Sequence, residues 1–254
     1  MKLYHDLAEY YFSIENNHRD ISQDVAFILA LPECRPGASL LDLGCGTGEH
    51  LDLLSRKGLR CTGIDDSDEM LAIARSRFPG AAEFIMQNMA EIDYENDFDL
   101  VISLFGSFNY IIHDADVEAM LSRIGRALKP GGGGVLEIWN APPINRIREK
   151  EIGPVSTTLF EGSTIGRERG FAMRGDTDKT VVEVHYRYRI EGPEGLKTLR
   201  DRHVMRAFTP DEITRFIVAA GLSLSRVYAN FLSEPYEENS NRMVVVFTKP
   251  DPRK

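Results

Sequence analysis

The stretch LLDLGCGTGEH, residues 40–50, sets an apolar, strand-like run directly before three glycines at alternate positions, Gly44, Gly46 and Gly48. Pro36 and Gly37 turn the chain into SLLDL, and HLDLLSRKG beyond the glycines reads as a helix with Leu51, Leu53 and Leu54 inward and Gly58 as its stop. In a strand, turn and helix unit, glycines let the backbone approach a ligand closely, and the helix start presents unpaired N–H groups. The ligand implied is a small polar cofactor. A dinucleotide fingerprint spaces its glycines GxGxxG to admit a pyrophosphate. Here the spacing is GxGxG, preceded by Asp42 at the strand end. A carboxylate at that point repels a pyrophosphate and stabilises a cation such as an ammonium.

Outward from this unit the pattern is regular. Residues 4–11 and 25–31 have helical spacing of apolar side chains, and the second run stops at Pro32. LRCTGID is a second strand ending at Asp65, where a doubly wound fold places the acid that accepts hydrogen bonds from ribose hydroxyls. Asp66 or Ser67 caps the next helix, DEMLAIARSRF, which Pro79 and Gly80 terminate. AEFIM is a third strand. FDLVISLF is an uninterrupted apolar run, as expected of a central parallel strand covered on both faces. ADVEAMLSRIGRAL then reads as a helix, KPGG as a turn and GGVLEIW as a strand. The alternation predicts a doubly wound parallel sheet in an α/β fold.

The alternation breaks after Trp139. In VVEVHYRYRI, Val182, Val184, Tyr186, Tyr188 and Ile190 share one face while Glu183, His185, Arg187 and Arg189 share the other, which predicts a strand of an antiparallel sheet wet on one side. GPEG turns it towards LKTLRDRHVMRAF in a hairpin. Thr209, Pro210 and Glu212 form a helix start, and LSLSRVYA and MVVVFTK are two final strands.

Composition narrows the function classes. Apolar residues are 43% and charged residues 27% of the 254, ordinary for a soluble globular protein. No apolar run reaches the roughly 18 residues of a membrane span, and Asp6 and Glu9 interrupt the region where a signal peptide is apolar, so a cytoplasmic protein is expected. Cys34, Cys45 and Cys61 form no CxxC pair; buried, reduced thiols are expected, and no metal. A net charge of −9 disfavours nucleic acid. Residues 141–206 nevertheless hold 13 Lys and Arg against 10 Asp and Glu, leaving the remainder at −12.

The ordered set LLDLGCGTG, GIDDSDEML, FDLVISL and KPGG closely resembles the class I S-adenosylmethionine-dependent methyltransferases, over most of the chain. That resemblance implies a doubly wound, Rossmann-like, seven-stranded sheet closed by an antiparallel pair, with S-adenosyl-L-methionine as cofactor. YHDLAEYY, LFGSFNYI, VEVHYRY and DRHVMRAFTPDEI resemble, more narrowly, the bacterial N-methyltransferases of nucleotide-linked amino sugars, which carry a small antiparallel sheet over the active site. The organisation implied is residues 1–140 for the N-terminal helices and cofactor half, 141–207 for an antiparallel insertion over the site, and 208–254 for the last helix and closing strands. Two departures stand out: Gln87, Asn88 and Met89 replace the family's acid after the third strand, and WNAPP only partly matches its proline-containing segment.

The residues expected to hold the cofactor are Asp42, Gly44, Cys45, Gly46, Gly48, Asp65, Asp66, Met70, Asn88, Met89, Leu104 and Arg19. Asn88 is placed to accept from the adenine amino group and Arg19 to pair with the cofactor's carboxylate, against a plain surface charge for Arg19. Cys45 reads more simply as a small side chain in a crowded turn. Tyr110, His185 and Tyr11 are the candidates for orienting an acceptor or taking its proton, against core packing for the tyrosines and a solvated face for the histidine. Asn109, Arg187 and Arg189 are the candidates for the acceptor itself, an anionic small molecule, although the arginines also balance Glu183 and Glu191. In-line methyl transfer requires alignment and no enzyme nucleophile. O- or C-methylation, a nicotinamide-dependent oxidoreductase and a non-catalytic cofactor-binding protein are the competing readings. Neither membrane nor nucleic acid is expected as a partner, and the chain is expected to be a monomer or a homodimer.

Overall fold

SLLDL forms β1 (Ser39–Leu43), whose five residues are all buried because parallel strands pair with it on both sides. The structure, a computed structural model, describes residues 2–16, 20–175, 178–193 and 195–253. After a 3-10 turn at Lys2–Tyr4 come α1 (Ala8–Asn16), α2 (Ile21–Leu29), β1, α3 (Glu49–Ser55), β2 (Arg60–Asp65), α4 (Asp68–Arg77), β3 (Ala82–Met86) and β4 (Phe98–Ser103). Then follow α5 (Asp114–Ala127), β5 (Leu128–Trp139), α6 (Ala141–Ile147), β6 (Glu149–Phe160), β7 (Ser163–Met173), β8 (Thr180–Gly192), β9 (Gly195–Ala207), α7 (Pro210–Ala219), β10 (Ser223–Tyr228) and β11 (Arg242–Thr248).

Seven strands make one mixed sheet in the order β10-β11-β5-β4-β1-β2-β3, and β6 to β9 make a separate antiparallel sheet. β1 to β5 are parallel, while β11 runs antiparallel to both β5 and β10. The strand order reverses between β1 and β4, so a crevice opens at their carboxyl ends, where the glycines leave β1. Leucines of α3 and the apolar face of α2 cover one side of this sheet, and α5 and α7 cover the other. A third apolar cluster joins the inner face of β8, from Val182 to Ile190, to Leu3, Leu7 and Ile14 of the N-terminal segment. Among the described residues no helix is long and apolar enough to cross a membrane.

The structure differs from the sequence reading at irregular positions. The first helix begins at Ala8, because residues 2–4 take a 3-10 turn instead. β5 starts at Leu128 and runs through KPGG, with Gly131 at φ +77° and a register shift opposite Phe98 and Leu100. β6 and β7 escaped the pattern: β6 contains Gly153 and Pro154 and pairs with two register shifts, so its burial follows no period of two. Leu53 is only partly buried, and Cys34 and Cys45 are half-buried, while Cys61 is buried.

Gly134 on β5 lies opposite Phe247 on β11, and a Cβ there would sit 2.2 Å from the Phe247 ring. Gly134→Ala is expected to destabilise by about 1–3 kcal/mol through overpacking. Thermal denaturation should show a fall of roughly 2–4 °C per kcal/mol; an unchanged midpoint would mean that Phe247 moves aside freely.

Candidate active site

The glycine loop is fixed by its own backbone. The N–H groups of Gly44 and Cys45 both donate to the Ile64 carbonyl at 2.9 Å, tying the loop to β2. Gly44 has φ +83°, and a Cβ there would lie 2.5 Å from the Ser107 hydroxyl. The Gly46 N–H donates to Asp65 Oδ2 at 2.9 Å, and the Ser67 N–H to Asp65 Oδ1 at 3.0 Å. Each Asp65 oxygen keeps acceptor capacity for a hydroxyl. Burial raises the Asp65 carboxyl, and these backbone donors oppose the rise.

In front of the loop lies a cavity of about 340 Å³, lined by Tyr4, Tyr11, Gly44, Gly46, Asp65, Asp66, Met70, Asn88, Met89, Ser107 and Tyr110 among others. Gln87 and Ala90 form one wall and Ile111 to His113 another. The volume lies in the range of small-molecule sites. Asn88 Oδ1 already accepts the Ala90 N–H at 2.9 Å, which leaves it one lone pair for a ligand. Behind the loop is a recess of about 40 Å³ lined by Asp42, Cys45, Thr47, His50, Leu104 and Phe105. There Asp42 Oδ1 is buried and has no hydrogen-bond donor among the described residues. Desolvation pushes the Asp42 carboxyl up to about 7, with His50 opposing and Asp65 adding to the rise. A buried orphan acceptor is costly unless a ligand supplies the donor, and the ammonium of an amino-acid moiety fits that role. Phe105, with φ +54°, closes the recess while its N–H donates to Glu137 at 2.8 Å.

The other sequence candidates are placed elsewhere. Gly48 lines neither space: its φ of +84° starts α3, and a Cβ would press on Phe84 and Ala74. Cys45 borders the recess, where burial raises its thiol well above the ordinary range and disfavours the thiolate. Asn109 is fully buried, donating to the Arg206 carbonyl at 2.6 Å and accepting from the Trp139 N–H, so it ties three chain segments together and does not line the cavity. His185, Arg187 and Arg189 lie on the outer face of the four-stranded sheet, away from the cavity. There His185 meets Glu183 at 3.2 Å and Arg187 meets Glu168 at 3.1 Å. Arg19 lies outside the described residues.

What the sequence reading missed is on the inner face. Tyr4 and Tyr110 share a hydrogen bond of 2.9 Å at the cavity wall, and Tyr110 meets His203 Nδ1 at 2.5 Å. The alternation of Leu199, Asp201, His203 and Met205 on β9 was the signal available for placing His203 on the covered side.

The fold and cavity define an α/β protein whose strand-end acids and glycine loop suit a ligand carrying ribose and ammonium groups. A methyltransferase domain family model matches residues 40–132. The dTDP-3-amino-3,6-dideoxy-alpha-D-glucopyranose N,N-dimethyltransferase of Streptomyces fradiae is 31% identical over 225 residues, 86% of this chain and 84% of that one. The solved structure of an amino pentose methyltransferase from Micromonospora echinaspora, with S-adenosylmethionine bound, matches at TM-score 0.76 and 26% identity, covering 94% of this chain and 96% of that one. A methyltransferase from Clostridium acetobutylicum shares the fold at TM-score 0.82 and 19% identity, over 97% and 99% of the two chains. The chain belongs to the S-adenosylmethionine-dependent methyltransferases, which sets aside the oxidoreductase reading.

Two outcomes are expected with the product S-adenosylhomocysteine as ligand. Asp65→Ala should bind it about tenfold to a hundredfold more weakly, the loss of charge-assisted bonds of roughly 1.5–3 kcal/mol; calorimetry on a folded mutant that shows unchanged affinity would remove Asp65 from the site. A cation beside Asp42 requires the carboxylate form, so affinity should fall as pH drops through about 7 and binding below that pH should release a proton. Calorimetry in buffers of different ionisation enthalpy measures that release, and Asp42→Asn should abolish it.

Proposed function

We propose that this methyltransferase acts on the amino group of a nucleotide-linked deoxyamino sugar, in the cytoplasm, as a monomer or a homodimer. The observation that carries the reading is the similarity to the Streptomyces fradiae N,N-dimethyltransferase, which at 86% of this chain is too long to leave out the four-stranded sheet. In this reading residues 141–207 are the insertion that roofs the cavity, between core segments 1–140 and 208–254.

Asp65 would hold the ribose hydroxyls, Asp42 the ammonium, and Asn88 and Met89 the adenine end, while Asp66, Met70 and Leu104 shape the walls. When bound, S-adenosylmethionine supplies a methyl group on a sulfonium, which leaves without covalent help from the protein. The chain's task is alignment and exclusion of water, which is worth at most about 7–11 kcal/mol of the barrier. Tyr11, on the wall shared by cavity and recess, and Tyr110, on the cavity wall, would orient the acceptor in this reading. The cavity's described lining includes Asp65, Asp66 and Asp116 but no Lys or Arg, which suits an amine inside and leaves the diphosphate of such an acceptor outside.

Incubation with S-adenosylmethionine and dTDP-3-amino-3,6-dideoxyglucose should add one or two methyl groups, seen by mass spectrometry. The analogue with a hydroxyl in place of the amine should remain unmodified. Methylation of the hydroxyl analogue, or of neither compound by protein that binds S-adenosylhomocysteine, would reject the amine reading.

A further inference from the structure

An amine attacks a methyl group only through a free lone pair, so an acceptor that arrives as an ammonium must first give up one proton. The chain therefore needs somewhere to put a proton, and His185, on the outer face, does not reach the cavity. The inner face of β9 offers a continuous path. Tyr4 and Tyr110 both line the cavity, with their hydroxyls 2.9 Å apart. The Tyr110 hydroxyl is 2.5 Å from His203 Nδ1, and His203 Nε2 is 3.0 Å from Asp201 Oδ2. The His203 side chain is 1% exposed and that of Asp201 6%.

We propose that His203 and Asp201 form a proton relay that takes, through the Tyr110 hydroxyl, the proton an amine acceptor gives up. The assignment rests on the amine reading of the preceding subsection. In the resting state His203 carries its proton on Nε2, donated to Asp201, and its bare Nδ1 accepts from the Tyr110 O–H. As the acceptor's N–H⁺ bond breaks, its proton passes to the Tyr110 oxygen while the Tyr110 proton passes to Nδ1. The nitrogen keeps the electron pair, and Tyr110 stays neutral. His203 becomes an imidazolium beside a carboxylate, and the reverse path returns the proton to water once the product has left the cavity. Tyr110 is the group that meets the acceptor; His203 acts through it, and Asp201 is a positioning residue.

Several features support the direction of the chain. The His203 interaction lowers the Asp201 carboxyl despite partial burial, so it is an anion throughout the working range. Burial raises the Tyr110 and Tyr4 phenols, so neither stores negative charge and a proton must pass through Tyr110 without remaining missing from it. Hydrogen-bonded to His203 or packed on it are the Asp201 carboxylate, the Tyr110 hydroxyl, the Tyr4 ring at 5.8 Å and the Tyr186 ring, edge-on at 5.1 Å. Asp201 is the one full charge among them. Asp201 also accepts the Leu3 N–H at 2.8 Å, so its substitution would disturb the N-terminal turn as well, and His203 is the better residue to change.

The test compares wild type with His203→Gln, which keeps a polar side chain without a base, and with Tyr110→Phe. With dTDP-3-amino-3,6-dideoxyglucose as acceptor, kcat/KM of both variants should fall about a hundredfold near pH 6.5 and recover to within tenfold near pH 9.5, where the amine is already neutral. Affinity for S-adenosylhomocysteine should stay within a factor of two. A loss that is the same at every pH, or no loss, would overturn the relay. A second measurement needs no acceptor: in the S-adenosylhomocysteine complex of the wild type, histidine nitrogen resonances should show His203 protonated on Nε2 and bare on Nδ1, with Nδ1 shifting in Tyr110→Phe. The opposite tautomer would overturn the proposal. Wild type inactive on the amino sugar but showing the expected tautomer would instead reject the acceptor and keep the relay's resting state.

Discussion

The carboxylate of Asp65 is the point on which the site depends. It ends β2, and its two oxygens take the backbone N–H groups of Gly46 in the loop after β1 and of Ser67 before α4. One side chain thus sets two strand-to-helix turns at neighbouring strand ends. The loop needs this restraint because Gly44 and Gly46 adopt positive φ, and glycine loses more conformational freedom on ordering than any other residue. Asp65 lines the cavity, and each of its oxygens, with one backbone donor, keeps unused acceptor capacity. The group that shapes the turn is also free to meet a ligand, so binding adds donors to an acceptor already held in place.

The second constraint is the closure of the cavity by the N-terminal segment. The Ser67 hydroxyl donates to the Tyr4 carbonyl at 2.6 Å, and the Leu3 N–H donates to Asp201 at 2.8 Å. The first of these contacts reaches the seven-stranded core and the second the four-stranded sheet. Leu3, Leu7 and Ile14 then bury themselves against β8. The N-terminal turn spans the two sheets, and the aromatic wall of Tyr4, Tyr11 and Tyr110 follows from that position. Buried Arg167, ion-paired to Glu15 at 2.9 Å and lying over the Tyr186 ring, holds α1 to the same surface. A buried pair of this kind specifies geometry more than it adds stability, since desolvation offsets much of its attraction.

Most of the seven-stranded core was legible, because β1 and β4 are short apolar runs and β2 and β3 stand between clear helix and turn signals. The position of the cavity was legible for the same reason: Asp42, Gly44, Gly46 and Asp65, which line it or its recess, stand at strand ends that the pattern defines. The four-stranded sheet was half legible. β8 alternates cleanly over Val182 to Ile190, whereas β6 has Gly153 and Pro154 and shifts register twice. Asn109 and Arg206 were illegible in principle, since what buries them is a meeting of the loop after β4 with β9, nearly a hundred residues apart. Polar residues in a loop beside a strand end look like ligand contacts until the chain that returns to satisfy them is known.

The misplacement of the histidine shows how much rests on parity. Side chains along a strand alternate, so a sheet has two faces and a residue's neighbours follow from whether its number is odd or even. On β8 the polar set contains His185, Arg187 and Arg189, which by composition looks like a binding surface. The apolar set of Tyr186 and Tyr188 looks like core. In the structure the apolar face is the one packed on Leu3, Leu7 and Ile14 and on Tyr4, Tyr11 and Tyr110, and these three tyrosines line the cavity. Register then carries the argument across strands: Val184 pairs with His203 and Tyr186 with Asp201, so the inner face of β9 inherits the same shelter. A histidine on that face is dry, held by a carboxylate and in reach of a tyrosine at the cavity wall, whereas His185 on the outer face is half-exposed and meets Glu183.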